Sequence, residues 1–126
     1  MNKRQLGKTD INLTAIGFGG APLGNLFENL DERNCYDILE KSYEKGINIY
    51  DTSPLYGYGL SEHRLGNFLK TVDEDSYFLS TKVGRYLTPA KKDNIDRGRI
   101  ARSLNFSPNL DYSYDGVMRA FEQSLL

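Results

Sequence analysis

Short apolar runs alternate along the chain with charged stretches whose apolar positions recur at helical spacing. Arg4 to Leu6 and Asn12 to Thr14 flank the Gly- and Asp-containing turn Gly7-Lys8-Thr9-Asp10, which predicts a small hairpin. Ala15 to Phe18 is an apolar run ending in Gly19-Gly20, the pattern of a buried strand that meets a tight turn, and loop residues follow through Asn29. From Asp31 the period changes. Cys35, Ile38, Leu39 and Ser42 or Tyr43 recur at i, i+3, i+4 and i+7 or i+8 with Lys and Glu between them, which predicts an amphipathic helix. Asp31 is suited to cap its first turn and Gly46 to supply the left-handed residue that ends it. Ile47 to Tyr50 then reads as a strand closing on Asp51.

After the Pro- and Gly-rich SPLYGYGL, Ser61 is expected to cap a second helix in which Leu65, Phe68 and Leu69 share a face, ending near Lys70. Tyr77 to Ser80 reads as the next strand, leading into Thr81-Lys82. The residues from 83 to 112 carry no convincing period, and a loop of about thirty residues usually has a functional role. A last helix is expected from near Ser113 through Val117, Phe121 and Leu125. This alternation of strand and helix argues an α/β fold with a parallel sheet built of crossover units. A complete (β/α)8 barrel takes about 250 residues. The 126 residues therefore read as one partial domain, residues 1–126: an N-terminal hairpin and about three βα units of a (β/α)8 TIM barrel.

Composition narrows the function. Sixteen Lys and Arg against seventeen Asp and Glu leave a net charge of -1, so no global field draws the chain to nucleic acid or an anionic membrane. Cys35 stands alone and cannot form an internal disulfide, the N-terminus MNKRQLGKTD lacks the apolar core of a signal peptide, and no apolar run approaches a membrane span. A cytoplasmic setting is expected. GFGGAPLG contains G-x-G, but Pro22 occupies the third glycine position of the dinucleotide fingerprint, so this is not a Rossmann loop. Lys91, Lys92, Arg97, Arg99 and Arg102 are interrupted by Asp93 and Asp96 and read as a solvated loop; Cys35 reads as an inert core residue without the neighbours of a metal site.

Three polar residues sit just after apolar strands, at the edge where parallel α/β folds bind ligands: Asp51 after INIY, Tyr56 in the following turn, and Lys82 after YFLST. Brought together, the ammonium would favour the phenolate over an ordinary tyrosine of pKa near ~10, the carboxylate would orient the ammonium, and Tyr56 would serve as general acid or base. Position alone leaves a plainer alternative open, with Asp51 capping a turn, Tyr56 packing on a rim and Lys82 a solvated strand end.

The segment YDTSPLYGYGLSEHRLG resembles the aldo-keto reductase signature, in which an aspartate is followed five residues later by a tyrosine, then by Gly, Ser-Glu and Leu-Gly. LSTKVG resembles the lysine motif of that family. GFGGAPLGNLF, LSTKVGR and DYSYDGVMRAFEQSLL further resemble the branch containing aldose dehydrogenases of the fucose and galactose type and pyridoxal 4-dehydrogenase. The resemblance implies an NAD(P)-dependent oxidoreductase acting on a sugar or small aldehyde, by hydride transfer between nicotinamide and a carbonyl or hemiacetal carbon. It implies Tyr56 as proton donor or base, Lys82 as the group that tunes it, and Asp51 as partner of Lys82 near the nicotinamide ribose. Gly20 and Ala21 fall where the first βα loop approaches the cofactor, NAD or NADP, and the branch leans to NAD. No metal is implied.

The resemblance also implies a fourth catalytic residue, a histidine at the end of the next strand, before which the sequence ends. His63, the one histidine, belongs to the SEHRLG segment at a helix start and is expected to be exposed and uninvolved. Two further readings stay open: a non-catalytic remnant that associates through exposed sheet edges, and a cofactor-sensing subunit without turnover.

Overall fold

A computed structural model describes residues 1–125, the side chain of Asn94 excepted; Leu126 lies outside the described residues. Strand β1 (Lys3–Gln5) pairs antiparallel with β2 (Asn12–Thr14) in the expected hairpin. Asn48 fastens that hairpin to the rest of the chain. Its side chain accepts from Thr14 N at 2.7 Å and donates to Asn12 O at 2.9 Å, while its own N–H donates to Thr14 Oγ1 at 3.2 Å.

The central sheet has the order β3 (Phe18–Gly19), β4 (Ile49–Asp51), β5 (Phe78–Ser80), all parallel. Helix α1 (Glu32–Glu44) connects the first two strands and α2 (Leu60–Leu69) the second two, the repeating unit of a (β/α)8 barrel. Asp31 caps α1 as expected, accepting from Asn34 N at 2.8 Å, and Gly46 follows the helix at φ +79°. Between sheet and helices lies one core of Leu23, Cys35, Leu39, Tyr50, Leu65, Phe68 and Leu69. Tyr36 and Tyr43 both meet the Phe68 ring edge-on, with centroids 5.5 and 6.1 Å away.

Four expectations need correction. Ala15 to Gly17 precede the strand instead of forming it, and Ile16 is 62% exposed. Ile38 is 46% exposed, because α1 turns Cys35 and Leu39 inward and leaves Ile38 at the edge of that stripe. Ser61 is not a cap. Gly59 occupies the N-cap position of α2, and Ser61 lies inside the first turn, fully buried, where its hydroxyl has better-placed partners than a helix amide.

The fourth correction concerns residues 83–112, which hold an antiparallel pair, β6 (Arg85–Pro89) and β7 (Phe106–Leu110). Pro89 and Pro108 read as strand breakers, yet each sits where a missing N–H costs nothing. Leu87 lies opposite Pro108, and the Leu87 N–H and C=O both bond the Gln123 side chain at 2.8 Å. The pair is therefore a non-hydrogen-bonded one, and so is the pair of Pro89 and Phe106 two residues on. The same Gln123 docks α3 (Tyr114–Leu125) on β6, helped by the Arg119 guanidinium 4.7 Å above the Tyr86 ring. Ser113 caps α3 by accepting from Gly116 N at 3.2 Å. The helix runs through Val117, Phe121 and Leu125 as expected; Phe121 and Leu125 are 46% and 69% exposed, and Gly116 and Ala120 are the buried positions. Among the described residues, no helix is long and apolar enough to cross a membrane.

The inward assignment of Leu39 against Ile38 is testable by truncation. Leu39→Ala should lower stability in a urea titration by about 2–5 kcal/mol, and Ile38→Ala by less than about 1.5 kcal/mol.

Candidate active site

The parallel register places Gly19, Asp51 and Ser80 side by side at the C-terminal ends of β3, β4 and β5. In parallel α/β folds this edge presents side chains to ligands. Asp51 is the middle of the row and its carboxylate is held from two directions. Ser80 Oγ donates to Oδ1 at 2.9 Å, and Lys82 Nζ donates to Oδ2 at 2.6 Å. Nζ also donates to Thr52 O at 2.8 Å. The Tyr56 ring completes the group, its centroid 5.0 Å from Nζ. The structure thus brings Asp51, Tyr56 and Lys82 together. Ser80 was not singled out from the sequence; the signal lay in its place at the strand end, in register with Asp51.

Partial burial disfavours the charge on Lys82. The hydrogen bond and negative charge of Asp51, with the nearby Tyr56 hydroxyl, outweigh it and raise the Lys82 pKa above its ordinary 10.5. No hydrogen bond of regular geometry joins Nζ to the Tyr56 hydroxyl, so of these partners Asp51 is the one bonded directly. Lys82 and Asp51 are 46% and 43% exposed in their side chains, and the carboxylate keeps lone pairs on that open side for further donors.

Gly20 and Ala21 behave differently from each other. Gly20 is buried, and both its backbone polar groups are used internally: its N–H donates to Asp51 O at 2.7 Å and its carbonyl accepts from Ser61 Oγ at 2.7 Å. A Cβ there would lie 2.8 Å from Asp51 O and 2.9 Å from Ser61 Oγ, so the close approach requires glycine. Ser61 is also bonded to Thr52 Oγ1 at 2.8 Å, tying the loop after β3, the end of β4 and α2 into one buried knot. Ala21 is half-buried and borders a cavity of about 330 Å³ beside Tyr56, walled by Leu26, Leu55, Tyr58, Arg99 and Ile100.

The far wall of that cavity is the segment from Asp96 to Ile100, and hydrogen bonds from this segment and the residues after it tie it to the rest of the chain. Phe27 N donates to Arg99 O at 2.8 Å, Ala101 N to Asn25 O at 2.9 Å and Leu104 N to Gly57 O at 3.1 Å, while the Tyr58 hydroxyl donates to Asp96 O. Arg64 on α2 is buried, 8% exposed. Its guanidinium donates to Leu23 O at 2.7 Å, Leu30 O at 2.8 Å and Asn25 Oδ1 at 2.8 Å, and meets Glu32 at 2.5 Å. Sequence reasoning missed this residue; an arginine in an amphipathic helix carries no mark of burial. His63 is exposed in the first turn of α2, as expected. Burial pushes the Cys35 thiol up, with Arg64 opposing and Glu32 and Asp31 adding, which suits a core thiol rather than a nucleophile. Among the described residues, no group of His, Cys, Asp and Glu could hold a metal ion.

The sequence profile of the aldo/keto reductase family matches residues 15–125. The pyridoxal 4-dehydrogenase of Microbacterium luteolum is 42% identical over 97% of this chain, which spans 38% of that protein. The D-threo-aldose 1-dehydrogenase of a Pseudomonas species is 48% identical over 61% of the chain, covering 23% of its own length. Among solved structures, the holo form of an aldo-keto reductase from Bacillus halodurans superposes with a TM-score of 0.74 at 31% identity, over 99% of this chain and 35% of that one. The chain thus spans between 23% and 38% of the length of these relatives, and its fold is the N-terminal part of their barrel.

Two measurements check the electrostatics. A group whose pKa is raised on folding adds stability below its unfolded pKa and loses it as pH rises through the folded value. The wild type should therefore lose stability above the ordinary lysine value of 10.5, and Asp51→Asn should flatten that alkaline decline in thermal melts as a function of pH. Arg64→Met should cost about 1–3 kcal/mol for each of the Leu23 and Leu30 carbonyls it leaves unmet, read by denaturant titration.

Proposed function

The chain belongs to the aldo/keto reductase family, and we propose that the protein containing it is an NAD(P)-dependent oxidoreductase that interconverts a carbonyl or hemiacetal carbon of a sugar or small aldehyde and its redox partner. The observation that carries this reading is the convergence of Asp51, Lys82 and Tyr56 at the C-terminal edge of the sheet, next to a cavity of about 330 Å³. Such a cavity is of the size that holds a small ligand.

The residues present fit the nicotinamide–ribose end of the cofactor. Asp51 offers acceptor capacity on its exposed side, and Ala21 borders the space beside Tyr56, with Gly20 allowing the loop to lie close to β4. When bound, the cofactor supplies two-electron hydride chemistry. The part played by this chain is proton handling and positioning. Tyr56 donates a proton to the substrate oxygen in reduction and removes it in oxidation. Lys82, fixed by Asp51 and the Thr52 carbonyl, stabilises negative charge on the phenolic oxygen, and Ser80 keeps the Asp51 carboxylate aimed at Lys82. The segment from Asp96 to Ile100 closes the substrate side. The lean to NAD rests on the branch resemblance, and a comparison of kcat/KM with NADH and NADPH decides it.

In the protein as expressed from its natural gene, Tyr56→Phe should lower kcat by about 10²–10⁴-fold while NAD(P)H binding, followed by nicotinamide fluorescence, stays near wild type. Undiminished turnover on a panel of aldoses and small aldehydes would remove Tyr56 from the acid–base role.

A further inference from the structure

Two glycines meet at the turn that carries Tyr56. The 3₁₀ turn Ala21–Gly24 ends against the Tyr56–Gly57 peptide, and a Cβ on Gly24 would lie 2.6 Å from Gly57 N and 2.7 Å from Tyr56 O. A Cβ on Gly57 would lie 2.7 Å from Gly24 O and 2.9 Å from Gly24 Cα, and Gly57 has a φ of +66°. The three atoms nearest a Cβ on Gly24 are all backbone, not the ends of flexible side chains, so a methyl at position 24 has to displace the peptide that bears Tyr56.

Gly24 itself has little room to retreat. Leu23 O and Asn25 Oδ1 on either side of it are both bonded to the buried Arg64 guanidinium, and Asn25 O accepts from Ala101 N. On the other side, Tyr56 O accepts from Ser61 N at 3.1 Å and Gly57 O from Leu104 N at 3.1 Å. The turn is gripped between two fixed layers.

We propose that Gly24 is a positioning residue that sets where the Tyr56 hydroxyl stands relative to Lys82 and the substrate cavity, a proposal that rests on the acid–base role of Tyr56 given above. Misplacing a reacting group by about 1 Å costs on the order of 10²-fold in rate even when the change lies away from the chemistry. A methyl on Gly24 is therefore felt in turnover more than in binding.

The test uses the protein expressed from its natural gene, with Gly24→Ala, Tyr56→Phe and, as a control, Gly66→Ala, which adds a methyl on α2 with nothing within 4 Å. Gly24→Ala should lower kcat by about 10–100-fold and shift the pH profile of kcat, with KM and NAD(P)H affinity within about threefold of wild type. Gly66→Ala should retain wild-type kcat. A Gly24→Ala protein with wild-type kcat and pH profile, beside an inactive Tyr56→Phe, would overturn the positioning role and leave the reading of Tyr56 intact. An active Tyr56→Phe would sink that reading instead. A loss in Gly24→Ala that merely tracks a smaller folded fraction, with an unchanged pH profile, also overturns the proposal. Where Gly24→Ala does not accumulate as folded protein, Arg64→Lys loosens the backing of the same turn. It should lower kcat severalfold and displace the pH profile, and wild-type values there would overturn the proposal.

Discussion

The Arg64 guanidinium is the constraint on which the rest of the site depends. It stands at the junction of three segments that have no regular structure in common: the 3₁₀ turn after β3, the entry to α1 and the body of α2. Backbone carbonyls in such connections need donors once they are covered, and a planar group with five N–H donors can meet several at once. Glu32 neutralises the charge from the exposed start of α1, where a carboxylate is also favoured by the helix dipole. The arrangement makes burial of an arginine tolerable and turns loop into scaffold.

From that junction the organisation runs in two directions that meet at the phenol. One runs through the backbone: Arg64 fixes Leu23 and Asn25, these hold Gly24, and Gly24 abuts the Tyr56–Gly57 peptide. The other runs through the sheet, where parallel register sets Asp51 beside Ser80 and brings Lys82 round to bond it. The first depends on close packing of glycine backbone and the second on strand pairing and charge. Tyr56 and Lys82 belong to different systems, so their separation responds to either being disturbed, whereas Asp51 and Lys82 move together.

The elements most legible in the sequence were those in which one face alone decides the structure. The period of Cys35, Leu39 and Tyr43, with Asp31 before and Gly46 after, marks α1 because helix propensity, capping and burial agree. Asp51, Tyr56 and Lys82 were legible because each follows an apolar strand, and motif resemblance then separated them from turn caps. Pairing across a long gap was not legible. β6 and β7 are joined by residues 90–105 with no tight turn, and Pro89 and Pro108 argue locally against strand; only the register shows that both prolines occupy non-hydrogen-bonded positions. Ser61 was misread as a cap and Arg64 was missed for a related reason. A hydroxyl or guanidinium looks the same in sequence whether it serves its own helix or reaches another segment, and here the partners lie more than thirty residues away for Gly20 and Leu23.

The exposure of the Asp51–Lys82 pair bears on how such a site works. With each side chain a little under half exposed, their attraction is screened by water and acts mainly to fix geometry. A ligand covering that open side would exclude water and lower the local dielectric. The same 2.6 Å bond and the same ammonium near the Tyr56 ring would then exert a stronger field on the phenolic oxygen. Occupancy of the site would in this way strengthen the Asp51–Lys82 interaction without any movement of the backbone. The rigid setting of Tyr56 between two glycines matters for the same reason, because a field that strengthens on binding is useful only if the oxygen it acts on is already in place.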